Sequence, residues 1–133
     1  GREELEIFKQ YCPIKGEEVE RICRIVLTRT LPSVLEDDIT TFAESLTMLQ
    51  RVGFKKIEVE LQHDIIKALF RFFDTHALGY GMSSFGPAAY AVVEGEKRAA
   101  ELAYLTREFF LERHIRAFVC YSNANNRGSE VRF

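Results

Sequence analysis

Residues 79 to 90 read GYGMSSFGPAAY, and this stretch narrows the fold more than any other. Its glycines permit backbone angles that other residues avoid, and its proline withholds a backbone N–H. A chain passing through such a sequence turns. The pieces on either side, Tyr80 to Ser83 and Ala88 to Glu94, are apolar enough to run as strands, which makes Gly81 to Pro87 the tip of a hairpin. Whatever helices the remainder forms must pack against at least one pair of strands.

Helical spacing fills most of what precedes the hairpin. Val19, Ile22, Cys23, Val26, Leu27 and Leu31 recur at the three-four interval of one buried helix face, with Cys23 in the core, and Pro32 should kink or end that helix. Asp37 or Asp38 can cap a second helix with the stripe Ile39, Phe42, Ala43, Leu46 and Leu49, closed by Gly53. Residues 57 to 61, Ile-Glu-Val-Glu-Leu, alternate and predict a short extended piece. Asp64 reads as the cap of a third helix with Ile65, Ile66, Leu69, Phe70 and Phe73 inward, and His76 suits the negative end of its dipole.

Beyond the hairpin, residues 96 to 112 return to helical period through Ala99, Leu102, Ala103, Thr106 and Phe110. Ile115, Ala117, Val119 and Tyr121 alternate as a strand would, SNANNRGS reads as a loop, and Val131 and Phe133 read as a last short strand. The order predicts an α+β layer structure, a mainly antiparallel sheet packed against helices. With 133 residues and no linker or repeat, the chain reads as a single domain, residues 1 to 133, large enough for a core.

Several function classes fall away. A net charge of −2 lacks the basic excess of a general nucleic-acid binder. No apolar run is long enough to cross a bilayer, and the opening Gly-Arg-Glu-Glu does not read as a secretion signal. Cys12, Cys23 and Cys120 are scattered and odd in number, without a CxxC pair, which points to a reducing cytoplasm. His63, His76 and His114 stand apart from each other and from cysteines, so no zinc set forms. The dinucleotide fingerprint fails because Ser84 stands where its third glycine is required, and no Gly-Lys-Ser/Thr occurs. No complete catalytic set is visible, and the basic pieces Arg51 to Lys56 and Arg113 to Arg116 read first as solvated surface.

The hairpin tip keeps two readings open. It is a plain turn whose serines bond their own backbone, or it is a loop stripped of bulk so that main-chain N–H groups can converge on an anion.

Gly81-Met82-Ser83-Ser84-Phe85-Gly86-Pro87, followed by Tyr90, resembles the C-terminal glycine-serine motif of the β-ribofuranosylaminobenzene 5′-phosphate synthases, an archaeal branch of the GHMP kinase superfamily. EIFKQYCPI, TLPSVLEDDITTFAESLTMLQ, GFKKIEVELQ and NNRGSEVRF are also similar to that family, in order along the whole chain. The resemblance implies a ferredoxin-like C-terminal domain whose partner, an N-terminal domain carrying the phosphate loop, is absent from this sequence. Apolar surface meant for that domain should then be exposed, or covered by a homo-oligomer. It further implies the condensation of phosphoribosyl pyrophosphate with 4-amino- or 4-hydroxybenzoate, releasing carbon dioxide and pyrophosphate in methanopterin synthesis. Magnesium would accompany the pyrophosphate, and no cofactor is implied in this chain. Gly81, Met82, Ser83, Ser84, Phe85, Gly86 and Pro87 would form the phosphate and substrate site, with Phe85 and Met82 on the pocket wall. Two other classes stay open: the C-terminal domain of a small-molecule kinase of the same superfamily, and a free-standing ferredoxin-like regulatory or dimerisation module.

Overall fold

The computed structural model describes residues 2–128. They divide between Glu94 and Gly95 into two compact units. The strand expected at Val131 and Phe133 lies outside the described residues.

The first unit carries helices α1 (Arg2–Tyr11), α2 (Gly16–Ile25), α3 (Leu31–Leu35), α4 (Ile39–Leu49), α5 (Gly53–Glu60) and α6 (Asp64–His76), then strands β1 (Gly79–Met82) and β2 (Ala89–Val92). The two strands pair antiparallel, Gly79 opposite Val92 and Met82 opposite Ala89. The fold is α+β, and its sheet among the described residues is this hairpin. Strand β1 is buried at every position and lies against α4 and α6. Gly79 makes the closest approach: a Cβ there would meet the Ala43 backbone, with the Ala43 Cα only 2.9 Å away. The Tyr80 ring sits 4.6 Å from that of Phe70 and 6.2 Å from that of Phe73, the centre of an apolar core with Ile66, Leu69 and Met82. Burying an aromatic ring among such neighbours is worth roughly 1.5–3 kcal/mol.

Local chemistry explains the element ends. Asp38 caps α4, its carboxylate accepting from the Thr41 N–H at 3.0 Å. Helix α6 begins at Asp64 with His63 in the cap position and no side-chain cap bond. His76 closes α6, stacked on Phe72 at 4.1 Å with Nδ1 2.8 Å from the Phe72 carbonyl oxygen.

Two expected strands are absent. Residues 57 to 61 fall largely in α5 instead of running extended. Five alternating residues also fit a helix, and the pairs Lys55–Glu58 (2.6 Å) and Lys56–Glu60 (3.8 Å) form only in a helix. The Glu18 carboxylate accepts from the Gly53 N–H at 2.7 Å, fixing the start of α5. That bond and Arg21 hold Glu18 below the usual carboxylate range. Gly53 thus opens α5 and does not close α4, whose cap is Gln50.

Pro32 does not end the helix either. Residues Val26–Thr30 form a π turn, closed by Leu31 N–H to the Val26 carbonyl, and Pro32 follows directly within the continuing helix, so the irregular turn lies where the proline ring and its missing N–H would disturb a regular α-helix. The face assigned to the core from residue 19 to residue 31 is only partly buried. Ile22 and Val26 are half-buried, but Cys23 is exposed, as are Val19, Leu27 and Leu31. The side of this helix that faces inward carries Ile25 and Ser33, with Thr30 Oγ1 donating to Ser45 Oγ of α4 at 2.9 Å.

The second unit holds helix α7 (Glu96–Leu111), with Leu102, Ala103, Thr106 and Phe109 buried. Arg113 lies over the Phe109 ring at 3.8 Å. Residues 115 to 121 form no strand; alternation alone does not make one without a neighbouring strand to satisfy its backbone. Arg107 instead donates to the Val119 carbonyl oxygen at 2.8 Å. No described helix is long and apolar enough to cross a membrane.

Candidate functional site

The hairpin tip joins β1 to β2 through residues 83 to 88. Ser83 N–H donates to the Ala88 carbonyl oxygen at 2.8 Å, and Gly86 N–H donates to the Ser83 carbonyl oxygen at 2.9 Å, closing a four-residue turn. Gly86 holds φ at +78°, an angle glycine takes without strain. Ser84 holds φ at +49°, uncommon for a residue with a side chain and a frequent mark of functional loops.

The turn uses two of its N–H groups and leaves others open. The N–H groups of Ser84 and Phe85 have no hydrogen-bond partner among the described residues, and neither do the hydroxyls of Ser83 and Ser84. Ser83, Ser84 and Pro87 are exposed; Phe85 and Gly86 are half-buried. The serines therefore do not bond their own backbone, as the plain-turn reading expects.

Three neighbours hold the tip from beneath. Lys55 of α5 donates to the Ser84 carbonyl oxygen at 2.7 Å and pairs with Glu58, whose carboxylate is buried. Gln62 donates to the Phe85 carbonyl oxygen. The Phe85 ring meets Phe54 at 5.8 Å and Phe8 at 5.4 Å, both edge-on, while Phe8 and Phe54 stack at 4.6 Å. The Ser84 and Phe85 carbonyls are tied down by Lys55 and Gln62, while the N–H groups of Ser84 and Phe85 are left without a partner among the described residues. Backbone N–H groups that converge in a turn can take an anion.

Gly81 and Met82 lie deeper. Both are buried, and Met82 N–H donates to Gln50 Oε1 at 3.0 Å. Gly81 needs no unusual φ; its missing Cβ makes room for the Tyr90 ring, whose Cζ would lie 2.6 Å from such an atom. Burial pushes the Tyr90 phenol above its ordinary range. Glycine in β1 is thus covered by a cross-strand aromatic, a known remedy for a weak sheet position.

Lys55 lies within the basic piece read as solvated surface, and Gln62 was not among the candidates. Nothing in their spacing links either to a tip more than twenty residues away. Among the described residues no group of three or more His, Cys, Asp and Glu could hold a metal ion.

A separate open cleft of about 260 Å³ lies at the other end of β1, lined in part by Arg29, Glu44, Thr47, Asp74 and Tyr80, and by none of the tip residues. Its polar groups are engaged with one another. Tyr80 donates to Asp74 at 2.8 Å, Arg51 reaches Tyr80 at 3.2 Å and Asp74 at 3.3 Å, and Arg29 pairs with Glu44 at 3.3 Å. Burial, with the bond to Asp74, raises the Tyr80 phenol despite the opposing Arg51.

No protein-family model matches the sequence. Three curated proteins do, each named β-ribofuranosylphenol 5′-phosphate synthase. The protein of Methanocaldococcus jannaschii is 38% identical over 132 residues, covering 98% of this chain and 38% of its own length. That of Archaeoglobus fulgidus is 35% identical over 131 residues, 98% of this chain and 40% of its own. That of Methanothermobacter thermautotrophicus is 45% identical over 95 residues, 71% of this chain and 29% of its own. The chain thus spans 40% or less of the length of these relatives.

Proposed function

From its similarity to three β-ribofuranosylphenol 5′-phosphate synthases over part of their length, we propose that the chain is a member of that family and the C-terminal, substrate-gripping part of such an enzyme. The reaction joins phosphoribosyl pyrophosphate to a para-substituted benzoate. The ring carbon bearing the carboxylate attacks the anomeric carbon of the ribose, the bond to pyrophosphate breaks, and the carboxylate leaves as carbon dioxide, its electron pair restoring the ring. The relatives' name specifies a phenol, which favours 4-hydroxybenzoate over 4-aminobenzoate as the acceptor.

The difficult moment is electrostatic. Positive charge grows on the sugar as pyrophosphate gathers negative charge, so donors already aimed at the leaving group bind the transition state more tightly than the ground state. The tip supplies such donors: the open N–H groups of Ser84 and Phe85, the hydroxyls of Ser83 and Ser84, and the nearby Lys55 ammonium. Gly86 and Pro87 set the return of the loop, while Gly81 and Met82 anchor it from the core. The Phe85 ring, packed on Phe54 and Phe8, positions the tip and walls one side of it. Magnesium would enter with the pyrophosphate as part of the substrate. Three free cysteines accord with a reducing cytoplasm.

The unpartnered donors of the exposed tip are the observation that carries this reading. Its test uses the complete polypeptide with phosphoribosyl pyrophosphate and carboxyl-labelled 4-hydroxybenzoate. Labelled carbon dioxide and pyrophosphate should appear together. Replacing both Ser83 and Ser84 by alanine should lower turnover, since one lost donor to developing charge typically costs about 2.7–4 kcal/mol. Absence of both products would end the proposal.

A further inference from the structure

The continuous helical stretch from α2 through the π turn to α3 exposes an apolar ridge. Val19, Cys23, Leu27, Leu31 and Leu35 follow one another at every fourth position, and all five are exposed, Leu35 at 86% and Leu27 at 64%. In an unbroken α-helix each such step advances about 40° around the axis, so four steps would sweep roughly 160° and face no single surface. The wider turn at Val26–Thr30, closed by Leu31 N–H on the Val26 carbonyl, takes in an extra residue and rotates the ridge back at its middle. The opposite side of the same stretch is engaged in its own unit through Ile25, Ser33 and the Thr30–Ser45 bond.

We propose that this ridge is the docking surface for the rest of the polypeptide, the larger part that the relatives carry beyond the matched region, and that the occupant presents an apolar helix or sheet face. An aligned apolar surface of this kind is rarely left to solvent. The matched region is only 38% and 40% of the length of two relatives, which run on well beyond it. A tethered segment meets the ridge at an effective concentration in the millimolar range, so it outcompetes a free second copy for the same area. Docking here rests on family membership and not on the chemistry of the hairpin tip, so failure of one leaves the other standing.

Cys23 lies on the ridge and reports its state, while Cys12 and Cys120 serve as exposed references. Maleimide labelling followed by mass spectrometry would be run on the 133-residue chain and on the complete gene product. Cys23 should label readily in the former and lose labelling in the latter. Leu27→Glu with Leu31→Glu should restore it in the complete product, and should leave the urea midpoint of the 133-residue chain unchanged. Three results would overturn the proposal: Cys23 equally reactive in both forms, a complete product no longer than this chain, or protection in the isolated chain that grows with its concentration.

Discussion

The two ends of strand β1 treat their polar groups in opposite ways. At the Gly79–Tyr80 end everything is closed upon itself: the Tyr80 N–H donates to Thr47 Oγ1 at 2.9 Å, its hydroxyl donates to Asp74, and Arg51 covers both. At the Ser83–Gly86 end the Ser84 and Phe85 carbonyls are tied by Lys55 and Gln62, and the Ser84 and Phe85 N–H groups have no partner among the described residues. The N–H of buried Tyr80 and its hydroxyl thus both have partners, which spares folding the cost of an unsatisfied buried group. Open donors on a braced turn add nothing to folding until an anion arrives. On the proposed reading, the difference separates a structural end of the hairpin from a binding end.

Substitutions at the two ends should diverge most in stability. Tyr80→Ala empties the core beside Phe70 and should cost about 3–5 kcal/mol, the range for large aromatic truncations. Ser84→Ala should stay within about 0.5 kcal/mol. Urea unfolding of both variants measures the gap, and equal losses would erase the distinction.

Charge at the tip comes next. Replacing Lys55 and Glu58 together by glutamine removes the ammonium without stranding the buried carboxylate. Pyrophosphate affinity, read by calorimetry, should fall about tenfold, or about 1.4 kcal/mol. Unaltered affinity would take Lys55 out of the site.

A smaller effect is expected for the brace. Phe85→Ala removes two edge-on ring contacts, each worth about 0.5–1.5 kcal/mol, and should speed hydrogen exchange at Gly86 while leaving the Tyr80 region protected. Uniformly faster exchange would mean that the two ends are not independent.

The weakest signal is pH dependence. Tyr80 and Tyr90 both hold their protons above the ordinary tyrosine range, so the folded state binds protons more tightly than the unfolded. Their contribution is fully present below about pH 10 and is lost as pH rises through the raised folded values. Thermal midpoints followed upward from neutral pH should decline there, and replacing both tyrosines by phenylalanine should flatten the decline.

Legibility in the sequence followed how local the cause was. The hairpin was readable because glycine and proline dictate backbone angles at their own positions, and the cap at Asp38 because the bond it makes lies three residues away. The helix at α5 was not, since the alternation of five residues fits either period and the deciding partner, Glu18, comes from another helix. Cys23 was assigned to the core because periodicity identifies an apolar face without saying what covers it. Gln62 escaped notice for the same reason that Lys55 was set aside. Their work at the tip comes from the packing of α5 and the turn that follows it beneath the hairpin, which no spacing encodes.

Pyrophosphate titrated into the isotope-labelled chain, followed by amide NMR, addresses the binding end itself. The Ser84 and Phe85 amide resonances should move in a saturable way, ahead of those lining the Arg29–Tyr80 cleft. Movement confined to the cleft, or still resonances at the tip throughout, would mean that these donors do not serve an anion.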